Sequence, residues 1–138
     1  MLIRAYQNSD QEAVVALWTD CDLVVPWNDP VRDIERKLQV DRDLFLVGCR
    51  DEELIATVMA GYEGHRGWIN YLAIRPSERR KGYGEDMMRA AEVRLSARRC
   101  PKINLQVRDG NTNVIAFYEA IGYTVDAVVG LGKRLESD

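Results

Sequence analysis

Residues 75–88 read RPSERRKGYGEDMM, and the way this stretch is understood decides the fold. It begins where a strand ends and runs directly into a helix. Arg79, Arg80 and Lys81 crowd against Gly82 and Gly84. A helix start leaves backbone N–H groups unpaired and carries a partial positive charge. Glycines at such a start admit positive φ and let a ligand approach the backbone closely. Two interpretations stay open at this level. One is an anion, best a pyrophosphate, seated on the helix start between the cations. The other is a tight turn with a solvated basic patch. A Walker loop, G-x-x-x-x-G-K-[ST], is absent, and the dinucleotide fingerprint needs a third glycine that does not stand here. Glu85 and Asp86 place negative charge next to the supposed anion, unless they point away along the helix side.

Working outward, Gly67–Arg75, GWINYLAIR, predicts a strand. Two more strands precede it, over 44–49 and 54–62. Asp51-Glu52 and the run EGHRG join the three through short turns, so they should form an antiparallel meander. Upstream again, a helix follows Ser9 and Asp10, with Ala13, Val14, Leu17 and Trp18 on one face. A loop spans Asp22 to Pro30, and a second helix runs from Asp29 to about Val40. Downstream, a helix over 84–100 carries Met87, Met88, Ala91 and Leu95 along one side. A strand over 102–108 and a helix from about Thr112 to Ile121 follow, the latter closed by Gly122. Val128 to Leu135 suggests a last strand, interrupted by glycines. The order β-α-α-β-β-β-α-β-α-β is that of a mixed α/β layer fold, and residues 1–138 should form one domain.

The composition narrows the function. A chain of 138 residues supports one core, and its apolar content is too high for disorder. A net charge of −3 argues against nucleic acid as a partner. No apolar run approaches a membrane span, and the first residues lack the apolar core of a signal peptide. Three scattered cysteines suit a reducing cytoplasm. One histidine and no paired cysteines leave no metal site to propose.

A second cluster lies about thirty residues on, in LQVRDGNTNVIAFYEAIGY, residues 105–123. Asn111 falls at a helix start and Tyr118 seven residues later, so both lie along one helix edge. Tyr118 borders the apolar stripe of Val114, Phe117 and Ile121. It is either a core tyrosine with a satisfied hydroxyl or one whose hydroxyl reaches a cleft.

The ordered pair of motifs, Arg79-x-x-Gly82-x-Gly84 after LAIRP and then NTNVIAFYEAIGY, resembles the GNAT superfamily of N-acetyltransferases over essentially the whole chain. The resemblance implies a GNAT acyl-CoA N-acyltransferase fold: a mixed, mostly antiparallel sheet of six to seven strands, four helices, and a splay between strands four and five. It implies that the backbone of Leu72, Ala73 and Ile74 pairs with the pantetheine arm of acetyl-CoA. The amides from Arg79 to Gly84 (Arg80, Lys81, Gly82 and Tyr83 between) would hold its pyrophosphate, and Asn111 would contact the cofactor from the other side. Tyr118 matches the family's general acid, near the thioester sulfur.

The implied reaction is attack of a primary amine, on a small molecule or peptide, at the acetyl thioester within a ternary complex. Gln106 stands where some relatives carry Glu, and Gln accepts no proton at neutral pH. Glu63, His65 and Asp109 are the remaining base candidates. Trp27, Glu63 and His65 are expected on the acceptor side by family analogy. A homodimer is an assembly that the family allows. Two rival functions are a non-catalytic acyl-CoA-binding module and a binding protein for another phosphorylated small molecule.

Overall fold

In the computed structural model, which describes residues 1–138, the chain divides into two compact units: Met1–Asn104 together with Asp138, and Leu105–Ser137. In the first unit strand β1 (Leu2–Ala5) leads through a short 3-10 turn into α1 (Gln11–Asp20), followed by α2 (Pro30–Leu38). Asp29 caps α2, its carboxylate accepting from the N–H of Val31 at 2.9 Å, while Pro30 supplies a preset first turn. Then come β2 (Phe45–Arg50), β3 (Glu53–Tyr62) and β4 (Gly67–Ile74), the expected meander. The long α3 (Tyr83–Ala97) follows, and the unit ends in the first residues of β5 (Ile103–Leu105). Strand order in the sheet is β1-β2-β3-β4-β5.

β3 is the centre of the sheet and is buried from Leu54 to Ala60, because both of its faces are covered. On one face lie Trp18 and Val14 of α1 and Ile34 of α2, packed with Phe45, Val47, Met59 and Ala73. On the other face α3 buries Met87, Met88, Ala91 and Leu95, as their helical spacing demands. Gly48 on β2 lets Met87 close in: a Cβ there would stand 3.1 Å from its Sδ.

The second unit holds α4 (Thr112–Ala120). Asn111 is its cap, accepting from the Val114 N–H at 3.3 Å. Tyr118 is its buried side chain, and Ile121, just past its end, is buried too.

The sheet has five strands, not the six to seven implied by the family resemblance. The expected strand over Val128–Leu135 does not form, and nothing regular follows α4. Gly130 and Gly132 break its alternation, and Val129 and Leu131 are 86% and 94% exposed. A lone extended segment with no partner strand has no ladder to stabilise it. β5 is also shorter than the expected 102–108 strand.

Candidate active site

The glycine turn begins where β4 ends. Pro76–Glu78 make one 3-10 turn, Arg79 is extended, and Arg80 and Gly82 take positive φ of 63° and 85°. The first bond of α3 runs from the Asp86 N–H to the Gly82 carbonyl, 3.1 Å. No backbone N–H from Arg80 to Glu85 donates to another atom of the protein, and no side chain caps the helix. Left-handed residues alternating with others turn successive N–H groups into one concavity, which with the helix start is suited to an anion. Nothing lies within 4 Å of a Cβ built at Gly82, so the turn is unobstructed on that side. Positive φ was expected at Gly84 as well. Gly84 is instead already inside the first turn of α3, where its contribution is the missing side chain.

The three cations of the turn are not equivalent. Lys81 is bound to Glu78 at 2.8 Å, and Arg50, at the end of β2, binds the same carboxylate oxygen at 2.9 Å. Lys81 first, then the charges around it, hold the Glu78 carboxyl below the usual range. Arg79 lies beside the Cys21 thiol, whose pKa burial raises; that sulfur contacts the Ile74 carbonyl at 3.3 Å. Glu85 turns along the helix towards Arg89, 3.5 Å away, away from the turn. Arg50 had no local signal in the sequence, because only strand pairing brings it to the turn.

The other half of the site is the edge of β4. The Gly67 N–H donates to Lys102 at 2.8 Å, but a three-residue β5 starting there spans about 10 Å and stops short of Leu72. β4 also carries a bulge. Asn70 pairs with Met59 and Ala73 with Thr57, so Tyr71 and Leu72 together oppose the single residue Val58. Tyr71 absorbs the extra length with a φ of 52°. Beyond the bulge the Arg75 N–H donates to Ile55 at 2.8 Å. Counting back by twos, Ala73 also faces β3, and the backbone groups of Leu72 and Ile74 face the open edge. Of the three residues assigned to the pantetheine arm, Leu72 and Ile74 therefore carry the outward groups.

The remaining candidates are less committed to chemistry. Glu63 accepts from the N–H groups of His65, at 2.7 Å, and Arg66. The Arg66 bond foremost lowers its pKa, so the carboxylate is a turn former and a poorer base than the sequence suggested. His65 is exposed in that turn, and Trp27 is 55% exposed in the loop before α2. In the second unit Gln106 is exposed, its Nε2 3.1 Å from a Cβ built at Gly130. Asn111 spends its side-chain oxygen on its own helix. Tyr118 is buried, edge-on to Phe117 and Tyr123 at 5.0 and 5.6 Å. Burial pushes its hydroxyl up to about 12, and its oxygen is not among the buried ones left without a partner.

An uncapped helix start beside an open strand edge is a geometry suited to an extended, anion-bearing ligand. The comparisons with known proteins narrow that description. The family model described as the acetyltransferase (GNAT) family matches residues 11–123, and the chain belongs to that family. An acetyltransferase of Pectobacterium atrosepticum is 50% identical over 139 residues, covering 100% of this chain and 98% of the relative. Among solved structures, AAC(6')-Iy in complex with the bisubstrate analog CoA-S-monomethyl-acetylneamine superposes with a TM-score of 0.79, at 19% identity, over 96% of this chain and 97% of its own. The ribosomal-protein-S18-alanine N-acetyltransferase from Escherichia coli gives 0.74 at 19% identity, over 88% of this chain and 76% of its own. These two likenesses establish the fold, including its mixed sheet and four helices. No group of residues able to hold a metal ion is present, and no helix is long and apolar enough to cross a membrane.

Proposed function

We propose that this protein is an acetyl-CoA-dependent N-acetyltransferase that moves the acetyl group to a primary amine of a small molecule or peptide. The observation that carries the reading is the run of unused N–H groups from Arg80 to Glu85, which matches a diphosphate. In this reading Arg79, Arg80 and Lys81 add charge, and the outward backbone of Leu72 and Ile74 receives the pantetheine arm. Ala73 holds the strand between them to β3. The CoA-based analog bound to a structural neighbour supports the same ligand class. Segments 21–37 and 61–67 resemble the bacterial YpeA-type acetyltransferases, and we group the chain with them. Three free cysteines support a cytoplasmic location.

The amine lone pair attacks the thioester carbonyl to form the N–C bond, the C–S bond breaks, the extra proton on the nitrogen passes to water, and the sulfur leaves as a thiolate that must be stabilised. The Ile74 N–H, on the open edge, is the donor we assign to the developing oxyanion. Tyr118 is assigned to the departing sulfur, as the family resemblance implies. Its pKa of about 12 against about 8.5 for a thiol makes full proton transfer uphill by about 5 kcal/mol. Its role is therefore a hydrogen bond to the thiolate rather than early proton donation. With Glu63 tied into its turn and His65 and Asp109 exposed to solvent, this reading assigns no base and has the amine arrive neutral. About a tenth of an α-amine is neutral at pH 7, against about four in ten thousand for lysine. The acceptor is accordingly a low-pKa α-amine, met by the loop of Trp27 and the turn of Glu63 and His65.

Thiol release from acetyl-CoA, assayed across amine classes, tests the reading. Turnover with α-amines is expected, and a preference for internal lysine overturns the acceptor assignment. Tyr118→Phe should lower turnover about tenfold or more and leave CoA affinity unchanged. The involvement of Glu63 in its turn favours one second reading, a non-catalytic acyl-CoA sensor. It predicts CoA binding with no thiol release for any amine.

A further inference from the structure

The bulge in β4 raises a question of its own. An unglycinated bulge breaks the ladder and leaves the extra residue's backbone short of partners. The Tyr71 carbonyl nevertheless has one: it accepts from the Thr57 hydroxyl at 2.9 Å. The Thr57 hydroxyl oxygen in turn accepts from the Trp18 indole N–H at 2.9 Å, so both lone-pair and proton directions of the hydroxyl are fixed. Thr57 is fully buried and is the only polar residue between Leu54 and Ala60. Its neighbours along the strand are all apolar, and valine would fill the same shape there. The hydroxyl is therefore placed for a bond and not for packing.

Two further contacts hold the other end of Tyr71. Its ring stacks on Trp18 with centroids 3.7 Å apart and planes 11° apart. Its hydroxyl donates to Asp33 of α2 at 2.5 Å. Helices α1 and α2, on one face of the sheet, thus hold one residue of β4 at two points, where the strand changes the face its side chains present. Ile69 lies opposite Ala60 and Ala73 opposite Thr57, so residues four apart have exchanged faces across the bulge. Losing the bulge, with the register of residues 67–70 kept, would pair Leu72 with Thr57 and Ile74 with Ile55 and so turn their outward groups inward.

We propose that Thr57 is a positioning residue: clamped between the Trp18 indole and the Tyr71 carbonyl, it fixes the bulge that aims the Leu72 and Ile74 amides at the acyl donor, with the Tyr71–Asp33 bond as the second tether. The inference rests on the acyl-donor assignment of the preceding section, and its test separates the two. Backbone amide resonances are followed by NMR during titration with acetyl-CoA. In the native protein the turn set, Gly82 and Gly84, and the strand set, Leu72 and Ile74, both move. In Thr57→Val the turn set moves as before and the strand set moves less than half as far. Thr57→Ser, which keeps the hydroxyl, restores it. Where turnover is measurable, Thr57→Val lowers kcat at least tenfold with KM for acetyl-CoA within threefold, a split that mere destabilisation does not produce. Strand shifts unchanged in Thr57→Val overturn the positioning role alone. Absence of both sets in the native protein overturns the donor assignment and this inference with it. If Thr57→Val does not fold, Tyr71→Phe keeps the stacked ring and removes the second tether. The strand set is then expected to shrink while the turn set holds, and an unchanged strand set refutes the proposal.

Discussion

Gly82 and Tyr71 both hold left-handed backbone, with φ of 85° and 52°, eleven residues apart on either side of the strand-to-helix turn. They do so on different terms. Gly82 has no Cβ to penalise and nothing within 4 Å of where one would stand. Tyr71 accepts a conformation that costs an L-residue about 1–2 kcal/mol. A stacked ring worth about 0.5–1.5 kcal/mol beyond its area and two hydrogen bonds of about 1 kcal/mol each offset that cost. The first position is left open, and in the proposed function a ligand meets bare backbone there. The second is closed from several sides so that the backbone next to it keeps one aim. The proposed donor site needs both, because an anion cradle tolerates adjustment and a pair of outward strand amides does not.

The largest test of the contrast removes what holds Tyr71. Tyr71→Ala deletes the stack on Trp18 and the bond to Asp33. The variant should lose about 3 kcal/mol of stability by urea denaturation. A loss under about 1 kcal/mol would mean that the bulge holds itself. Gly82→Ala is the reciprocal change and should separate binding from stability. Its Cβ meets no protein atom, so the fold loses only the φ penalty of about 1–2 kcal/mol. Calorimetry should find CoA affinity down about tenfold or more, equivalent to at least about 1.4 kcal/mol, because the new methyl and any relaxation of φ disturb the cradle. Unchanged CoA affinity would remove the cradle from the site.

The two positions also differ in what the sequence reveals. A glycine next to cations ahead of a helix signals its conformation in its residue type, so the turn, the helix after it and the candidates Arg79 to Gly84 were legible. The assignment of positive φ to Gly84 failed because Arg80 takes the second left-handed position, and arginine carries no such mark. Nothing in WINYLAI announces a bulge. Its alternation is read as one unbroken strand, and only the pairing of Met59 with Asn70 and Thr57 with Ala73 exposes the extra residue. Thr57, Asp33 and Trp18 escaped for the same reason, since each acts through a contact tens of residues away. Arg50 joined the turn by the same route. The meander and the amphipathic face of α3 were legible because periodicity is local, whereas the expected strand after Val128 failed because a strand depends on a partner that local pattern cannot supply.

A smaller effect sharpens the strain argument directly. Tyr71→Gly loses the same ring as Tyr71→Ala but relieves the left-handed penalty. The glycine variant should be the more stable of the two by about 0.5–1 kcal/mol, reversing the usual order of alanine over glycine inside a strand. Paired urea melts decide it. Equal stabilities, or alanine ahead, would show that the backbone relaxes out of positive φ once the ring is gone. The strain assigned to Tyr71 would then not persist in the variants.

The smallest expected change concerns the charges around Gly82. Glu78 is the one carboxylate facing both Lys81 and Arg50, at 2.8 and 2.9 Å, and these bonds hold it ionised to lower pH than usual. In the proposed function it therefore diverts two cations from the diphosphate. Glu78→Gln should tighten CoA binding about twofold to threefold at low ionic strength, the scale of an exposed ion pair. The gain should vanish near 0.5 M salt, where the screening length falls to about 4 Å. Tighter binding that persists in high salt would mean a change of loop conformation instead. Weaker binding would mean that Glu78 is needed to hold Lys81 and Arg50 in place, making the turn, like the bulge, a segment whose conformation depends on its side chains.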